Sequence, residues 1–172
     1  MPSSFNIRLY GDPCLRKKST PLKLITDKTR HLIQSMILIM HEHKGIGLAA
    51  PQLGVNERFI VVDIGEGPIV LVNPEVTTTE GLAELEEGCL SIPGIVVNVK
   101  RPQKISVRYL DQNNKKIEKS CEDLLARVIL HEIDHLNGKL IIDYLSFREK
   151  LKLRKQLKDI KKGIRGQFPI VK

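Results

Sequence analysis

The sequence has no tryptophan, aromatic residues make up only 4% of its 172 positions, and it carries three cysteines. A platform of stacked rings for single-stranded nucleic acid is therefore poorly supplied. Cys14, Cys89 and Cys121 cannot all pair within one chain, and their spacing shows no disulfide framework. A reducing compartment is expected, and each thiol needs another explanation. Long apolar runs are also missing: Met36 to Met40 and Phe59 to Val62 fall well short of the roughly 20 residues that cross a bilayer. Ser3, Ser4 and Asn6 interrupt what would have to be a secretory apolar core, and no Arg/Ser-rich transit stretch stands before Tyr10. A cytoplasmic protein with no membrane partner is expected. Repeats, low-complexity tracts and Gly/Ser linkers are absent too, so one domain over 1–172 is expected.

What is present is a 41% apolar chain with a net charge of +8. That charge favours polyanionic neighbours without identifying a function. Leu32, Met36, Ile39, Met40 and His43 recur at helical spacing and predict a first helix over about Asp27 to His43, with Gly45 as its stop. β-Branched segments predict short, mostly antiparallel strands at Arg58–Ile64, Ile69–Val72, Val76–Thr79, Ile95–Val99 and Ile105–Leu110. Asp111, Asn113 and Asn114 supply the turn of a hairpin between Lys104–Leu110 and a partner near Lys116–Lys119. A second helix is expected at about Cys121 to Leu136, capped by Ser120 and Asp123 and ended by Gly138 in the left-handed conformation. A third, from Arg148 to about residue 162 or 165, is basic and amphipathic, with Leu153, Leu157 and Ile160 on one side. The expected class is α+β: antiparallel sheets around a central helix, with the basic helix at the C-terminal end.

That central helix contains His131-Glu132-Ile133-Asp134-His135. An HExxH sequence on a helix sets two imidazoles one turn apart on one face, with a carboxylate beside them, an arrangement suited to a metal and a general base. A hydrolytic metal site generally takes three protein ligands and keeps one position for water. A third histidine at position 141 would complete one known pattern, but Ile141 stands there; Glu149 is only 14 residues past His135 and opens the basic segment. Cys89, in Glu87-Gly88-Cys89-Leu90-Ser91, is a further candidate, since a thiolate beside two imidazoles suits Zn or Fe(II). The plainer reading of Cys89 is a small buried hydrophobe. A third block, Gly45-Ile46-Gly47-Leu48-Ala49-Ala50-Pro51-Gln52, combines small residues that allow close backbone approach with one side-chain amide.

Together the blocks GIGLAAPQ, EGCLS and HEIDH, in that order and spacing, resemble the signature of peptide deformylases, as does the opening Tyr10-Gly11-Asp12-Pro13 with Leu15-Arg16. The resemblance runs from about Ile7 to Ser146. It implies a hydrolase that removes the formyl group from the N-terminal formyl-methionine of newly synthesised polypeptides and releases formate. Cys89, His131 and His135 would hold one divalent metal, Fe(II) in the cell, with Zn, Ni or Co as alternatives that ligand type does not separate. Glu132 would be the base, and the Gln52 amide and Leu90 backbone N–H would receive the developing oxyanion. An oxyanion donor of this kind is worth about 10²–10³ in kcat. Gly45 and Gly47 would contact the peptide backbone, and Val128, Ile46 and Leu90 would line an apolar methionine pocket, with core packing the alternative for Ile46. Glu87 and Arg101 would form an ion pair bracing the Cys89 loop, with a plain surface salt bridge as the alternative.

One departure stands out: Leu130 occupies the position before HExxH where the family commonly has Gln, which predicts altered helix packing rather than lost catalysis. Cys14 and Cys121 are read as structural, Asp134 as a solvated or helix-face carboxylate, and His31, His41 and His43 as without a metal role. Two other functions compete. One is a zinc endopeptidase; the other is a ribosome- or RNA-associated binding protein acting through the basic helix. A deformylase acting on nascent N-formylmethionyl peptides could also dock on the ribosome through that helix, by phosphate contacts.

Overall fold

The computed structural model describes residues 5–163. Three helices, α1 (Asp27–Glu42), α2 (Asp123–Leu136) and α3 (Phe147–Lys161), accompany seven strands: β1 (Gly47–Ala49), β2 (Phe59–Val62), β3 (Ile69–Glu80), β4 (Ala83–Cys89), β5 (Ile92–Arg101), β6 (Lys104–Leu110) and β7 (Lys116–Glu122). Five strands form an antiparallel sheet in the order β1-β2-β3-β6-β7, while β4 and β5 pair separately as a hairpin. This is the mixed helix and antiparallel-sheet class expected from the sequence.

The five-stranded sheet is buried on both faces at its β1–β3 end because its strands are apolar without interruption. Successive side chains alternate between two clusters. Ala49, Ile60, Val62 and Leu71 pack with Val128, Ile129 and Leu136 of α2. Their neighbours Leu48, Phe59, Val61, Val70 and Val72 pack with Ile33, Met36 and Met40 of α1. Burying a side chain such as Phe59 contributes about 1.5–3 kcal/mol, so the pattern holds both helices to one sheet. A third cluster joins β5 (Ile92, Ile95, Val97, Val99) to Leu140–Ile142 and to Leu157 and Ile160 of α3.

Several expected boundaries move. The strands expected at Ile69–Val72 and Val76–Thr79 are one strand, β3, whose pairing with β6 shifts register twice. Strand β7 runs on to Glu122 because Glu122 and Cys121 pair with Lys104 and Ile105. So α2 starts at Asp123 rather than Cys121, with Glu122 at the cap and no side-chain capping bond, and the expected Ser120/Asp123 box is absent. Helix α1 ends at Glu42, and the left-handed residue that stops it is Lys44 (φ 54°), not Gly45. The Lys44 N–H donates to the His41 carbonyl and the Gly45 N–H to that of Met40, closing a Schellman turn. Gly138 does take the left-handed conformation after α2 (φ 73°), and a Cβ there would sit 2.6 Å from the Arg16 carbonyl oxygen. The basic helix begins one residue early, at Phe147, behind a Ser146/Glu149 capping box; positions 164 and 165 lie outside the described residues. Leu130 is partly buried and packs on the first cluster.

Candidate metal centre

Helix α2 aligns Val128, His131, Glu132 and His135 toward β1, β2 and the β4–β5 hairpin, and all four are buried. The hairpin supplies Cys89 at the end of β4, where the pairing register slips: Gly88 faces Val96 but Cys89 faces Ile92. That irregularity turns the thiol toward the helix. The ligand atoms of Cys89, His131 and His135 all lie within 4.8 Å of one another, and the Cys89 Sγ is 3.2 Å from His135 Nε2. A thiol and two imidazoles converging in this way could hold one metal ion.

The two imidazoles have different supports. Glu87 accepts a hydrogen bond from His131 Nδ1 at 3.0 Å, which places a proton on Nδ1 because a carboxylate can only accept, and leaves Nε2 as the nitrogen that could bind a metal. Burial works against a charged His131, but hydrogen bonds with Cys89 and Glu87 lift its pKa well above the usual value. His135 Nδ1 is buried with no hydrogen-bond partner among the described residues, and burial together with the His131 charge pushes its pKa well down.

Glu87 is itself tightly held. Arg101 grips it in two bonds of 2.6 and 2.9 Å, Arg127 adds a third of 2.7 Å, and the pair's side chains are 4% (Arg101) and 5% (Glu87) exposed. The plain surface salt bridge is thereby excluded. Burial alone would raise the Glu87 pKa; the hydrogen bonds from His131 and Arg101 outweigh it and hold it at about 2. Arg101 also donates to Asp134 Oδ2 (2.9 Å), which accepts from the Tyr144 hydroxyl at 2.7 Å. Asp134 is thus a bound carboxylate, contrary to the solvated role expected of it, because Arg101 and Tyr144 reach it from β5 and from the turn after α2.

On the opposite side, Gly47 lies against Glu132 and Val128. A Cβ at position 47 would come within 2.5 Å of Glu132 Oε1 and 2.7 Å of Val128 Cγ1, so only glycine fits. Glu132 Oε2 is buried with no hydrogen-bond partner among the described residues, and burial raises the carboxyl pKa to about 7. Gln52 accepts from the Ala49 N–H through Oε1, which turns its NH₂ toward Ser91 Oγ (3.2 Å) and Cys89 Sγ (3.8 Å). Leu90 follows Cys89 in the turn of the hairpin, and its Cδ1 would lie 2.8 Å from a Cβ at Gly45. Ile46 is 43% exposed, which sets aside the core-packing alternative for it.

Other sequence candidates lie elsewhere. Glu149 is committed to the cap of α3, accepting from the Ser146 backbone N–H and hydroxyl, and Ile141 is buried in the third cluster. His41 contacts Asp63, and His43 Nδ1 the Ile39 carbonyl. The Cys14 thiol donates to the Pro51 carbonyl, with burial raising its pKa to about 11, and Cys121 is buried in the first cluster. Sequence reasoning missed Arg127 and Tyr144. Arg127 stands four residues before His131 on a mostly apolar helix, and a buried guanidinium requires an anion, so the signal was present.

A family model described as polypeptide deformylase matches residues 4–151. The peptide deformylase of Halothermothrix orenii is 51% identical over 139 residues, covering 80% of this chain and 90% of that protein. That of Thermotoga maritima is 43% identical over 162 residues, covering 94% and 99%. Among solved structures, a peptide deformylase from Legionella pneumophila superposes with a TM-score of 0.89 at 40% identity, covering 96% of this chain and all of that one. Another from Synechococcus elongatus, in complex with actinonin, gives 0.84 at 39% identity, covering 98% and 93%. With the family model spanning most of the chain and relatives matched over nearly their whole length, the chain belongs to the peptide deformylase family.

Proposed function

We propose that this protein removes the formyl group from the N-formylmethionyl ends of newly synthesised polypeptides and releases formate, as its family membership implies. The observation that carries the reading is the buried Glu132 carboxylate, with a pKa of about 7, beside a thiol and two imidazoles that converge within 4.8 Å. In this reading α2 is the central element of one catalytic domain over 1–172, with the sheet on one side and the hairpin on the other.

Cys89, His131 and His135 would hold a divalent ion, Fe(II) in the cell, with Zn, Ni or Co able to occupy the same donors. The chemistry such an ion supplies is Lewis acidity, which makes water a nucleophile near neutral pH and polarises an acyl oxygen. Glu132 takes a proton from the attacking water and delivers it to the leaving amine. A carboxyl that titrates near neutrality can do both. The Gln52 NH₂, fixed by Ala49, and the Leu90 backbone N–H donate to the oxygen on which charge develops. Gly45, Ile46 and Gly47 present backbone to the extended peptide, and Val128 with Leu90 and Ile46 surrounds the methionine side chain. Helix α3 carries the basic surface that would meet ribosomal RNA, and the cytoplasm is the compartment where nascent formylated chains are found. No helix among the described residues is long and apolar enough to cross a membrane.

Formate release from a formyl-Met dipeptide, measured anaerobically with Fe(II), tests the reading beside Glu132→Gln. The variant is expected to retain metal and lose about 10²–10⁴-fold in rate. Equal rates in the two proteins, or no release from the wild type with metal bound, would overturn it.

A further inference from the structure

Arg127 is buried, and its guanidinium makes three hydrogen bonds at once, to residues of two strands. From its place on α2, Nη1 donates to Glu87 Oε1 (2.7 Å) and to the Val99 carbonyl (2.9 Å), and Nη2 donates to the Ala83 carbonyl (2.7 Å). Ala83 and Glu87 belong to β4 and Val99 to β5, so one guanidinium grips both strands of the hairpin. Glu87 in turn accepts from His131 Nδ1 through its other oxygen. Arg127 and His131 are one helical turn apart, and a single carboxylate spans them.

Cys89 lies two residues beyond Glu87 on β4, and the two side chains contact His135 and His131 of α2 respectively. Hairpin and helix are far apart in sequence, and the hairpin has no backbone pairing with the five-stranded sheet. Its base is held by the short links to β3 and β6, where Gln103 bonds Glu80 and Asp123 through the backbone, and toward the Cys89 end its contact with α2 is made by side chains. Arg101 also ties the hairpin to α2, from β5 to Asp134, but by a single direct bond, whereas Arg127 makes three that reach both strands.

We infer that Arg127 is a positioning residue that registers the β4–β5 hairpin against α2, so that the Cys89 sulfur meets the two imidazoles at the distance a shared metal ion needs. The inference rests on the reading of Cys89, His131 and His135 as ligands. Its mode of action is geometric: three acceptors at fixed separations require the planar guanidinium fork, and a single ammonium cannot reach them all.

The test uses the full chain loaded with Co(II), whose thiolate charge-transfer absorption reports the sulfur contact directly, together with Co(II) retention against a weak chelator. Arg127→Gln and Arg127→Lys are both expected to weaken and shift the thiolate band and to lower Co(II) affinity about 10–100-fold, the usual cost of losing a partner behind a metal ligand. Should Arg127→Gln not fold, Arg127→Lys decides alone. A Lys variant with the wild-type band and retention would overturn the inference, because charge opposite Glu87 would then suffice. Cys89→Ser separates this failure from that of the ligand reading. If it keeps Co(II) as tightly as the wild type, the ligand reading itself is wrong; if it releases Co(II) while Arg127→Lys does not, only the role of Arg127 is.

Discussion

His131 and His135 stand one turn apart with ring centroids 5.1 Å from each other, yet the two sides of their cluster are built on opposite principles. Behind His131, every charged group has a partner: Glu87 meets two guanidiniums and an imidazole, and Arg101 continues to Asp134 and Tyr144. Around Glu132 and His135, Glu132 Oε2 and His135 Nδ1 are buried with no hydrogen-bond partner among the described residues, and a Cβ at Gly47 would come within 2.5 Å of the carboxylate. The first side is a brace, in which low dielectric strengthens fully satisfied pairs. The second is, on the proposed function, the reactive face, in which the same burial raises a carboxyl pKa to about 7. Burial alone thus does not decide whether a carboxylate is structural. Its partners do, as Glu87 at about 2 and Glu132 at about 7 show from opposite sides of one helix.

The sharpest way to break this division is to remove the brace. Arg101→Ala deletes two bonds to Glu87 and one to Asp134, leaving buried negative charge undercompensated. Breaking such a pair is expected to cost about 3–5 kcal/mol, read as a fall in denaturation midpoint with the slope unchanged. A loss under 1 kcal/mol would mean that Arg127 satisfies Glu87 alone. On the reactive face the expected signature is different. Gly47→Ala pushes a methyl toward Glu132 Oε1 and Val128, and displacement of the carboxylate is expected to lower kcat about 100-fold while metal content stays as in the wild type. Metal loss in Gly47→Ala would show that the two faces are not separable.

How far these faces could be read from the sequence follows from where their information lies. HEIDH and GIGLAAPQ are legible because their chemistry is local: two imidazoles one turn apart, a glycine where no side chain fits, a single amide; of the brace, only the Glu87–Arg101 pair is legible, through the family resemblance of EGCLS. The brace is tertiary. Asp134 looks like a solvated carboxylate until Arg101, 33 residues away, is placed beside it. Strand β4 went unread because Ala83 to Cys89 contains no β-branched residue and three glutamates, so its strand conformation comes from pairing with the Val-rich β5. The start of α2 was placed early for the same reason: β7 extends to Glu122 through its register with Lys104, which local capping chemistry does not reveal.

A milder cut at the brace is Tyr144→Phe, which removes the hydroxyl that donates to Asp134 while keeping the ring. About 0.5–1.5 kcal/mol is expected, a melting-temperature fall of about 1–6 °C in a protein of this size. A fall as large as that of Arg101→Ala would make the network cooperative rather than a sum of pairs.

The smallest expected effect comes from a second arginine–carboxylate pair with the same forked geometry but outside the brace. Arg16 donates to both oxygens of Asp143, at 2.5 and 3.0 Å, with the arginine side chain 43% exposed. Burial opposes ionisation of Asp143, but the Arg16 hydrogen bonds and the Leu140 N–H outweigh it and hold the pKa below its usual 3.8. Because the folded-state pKa is depressed, the stabilisation is present above the ordinary aspartate value and is lost as pH falls through the folded one. Asp143→Asn is therefore expected to cost no more than about 1 kcal/mol at pH 7. The gap between wild-type and variant melting temperatures should close as the pH is taken below 3.8. If the gap instead persists at low pH, the Leu140 N–H contact rather than the charge carries it. If it equals that of Arg101→Ala at neutral pH, geometry and not burial separates the two pairs.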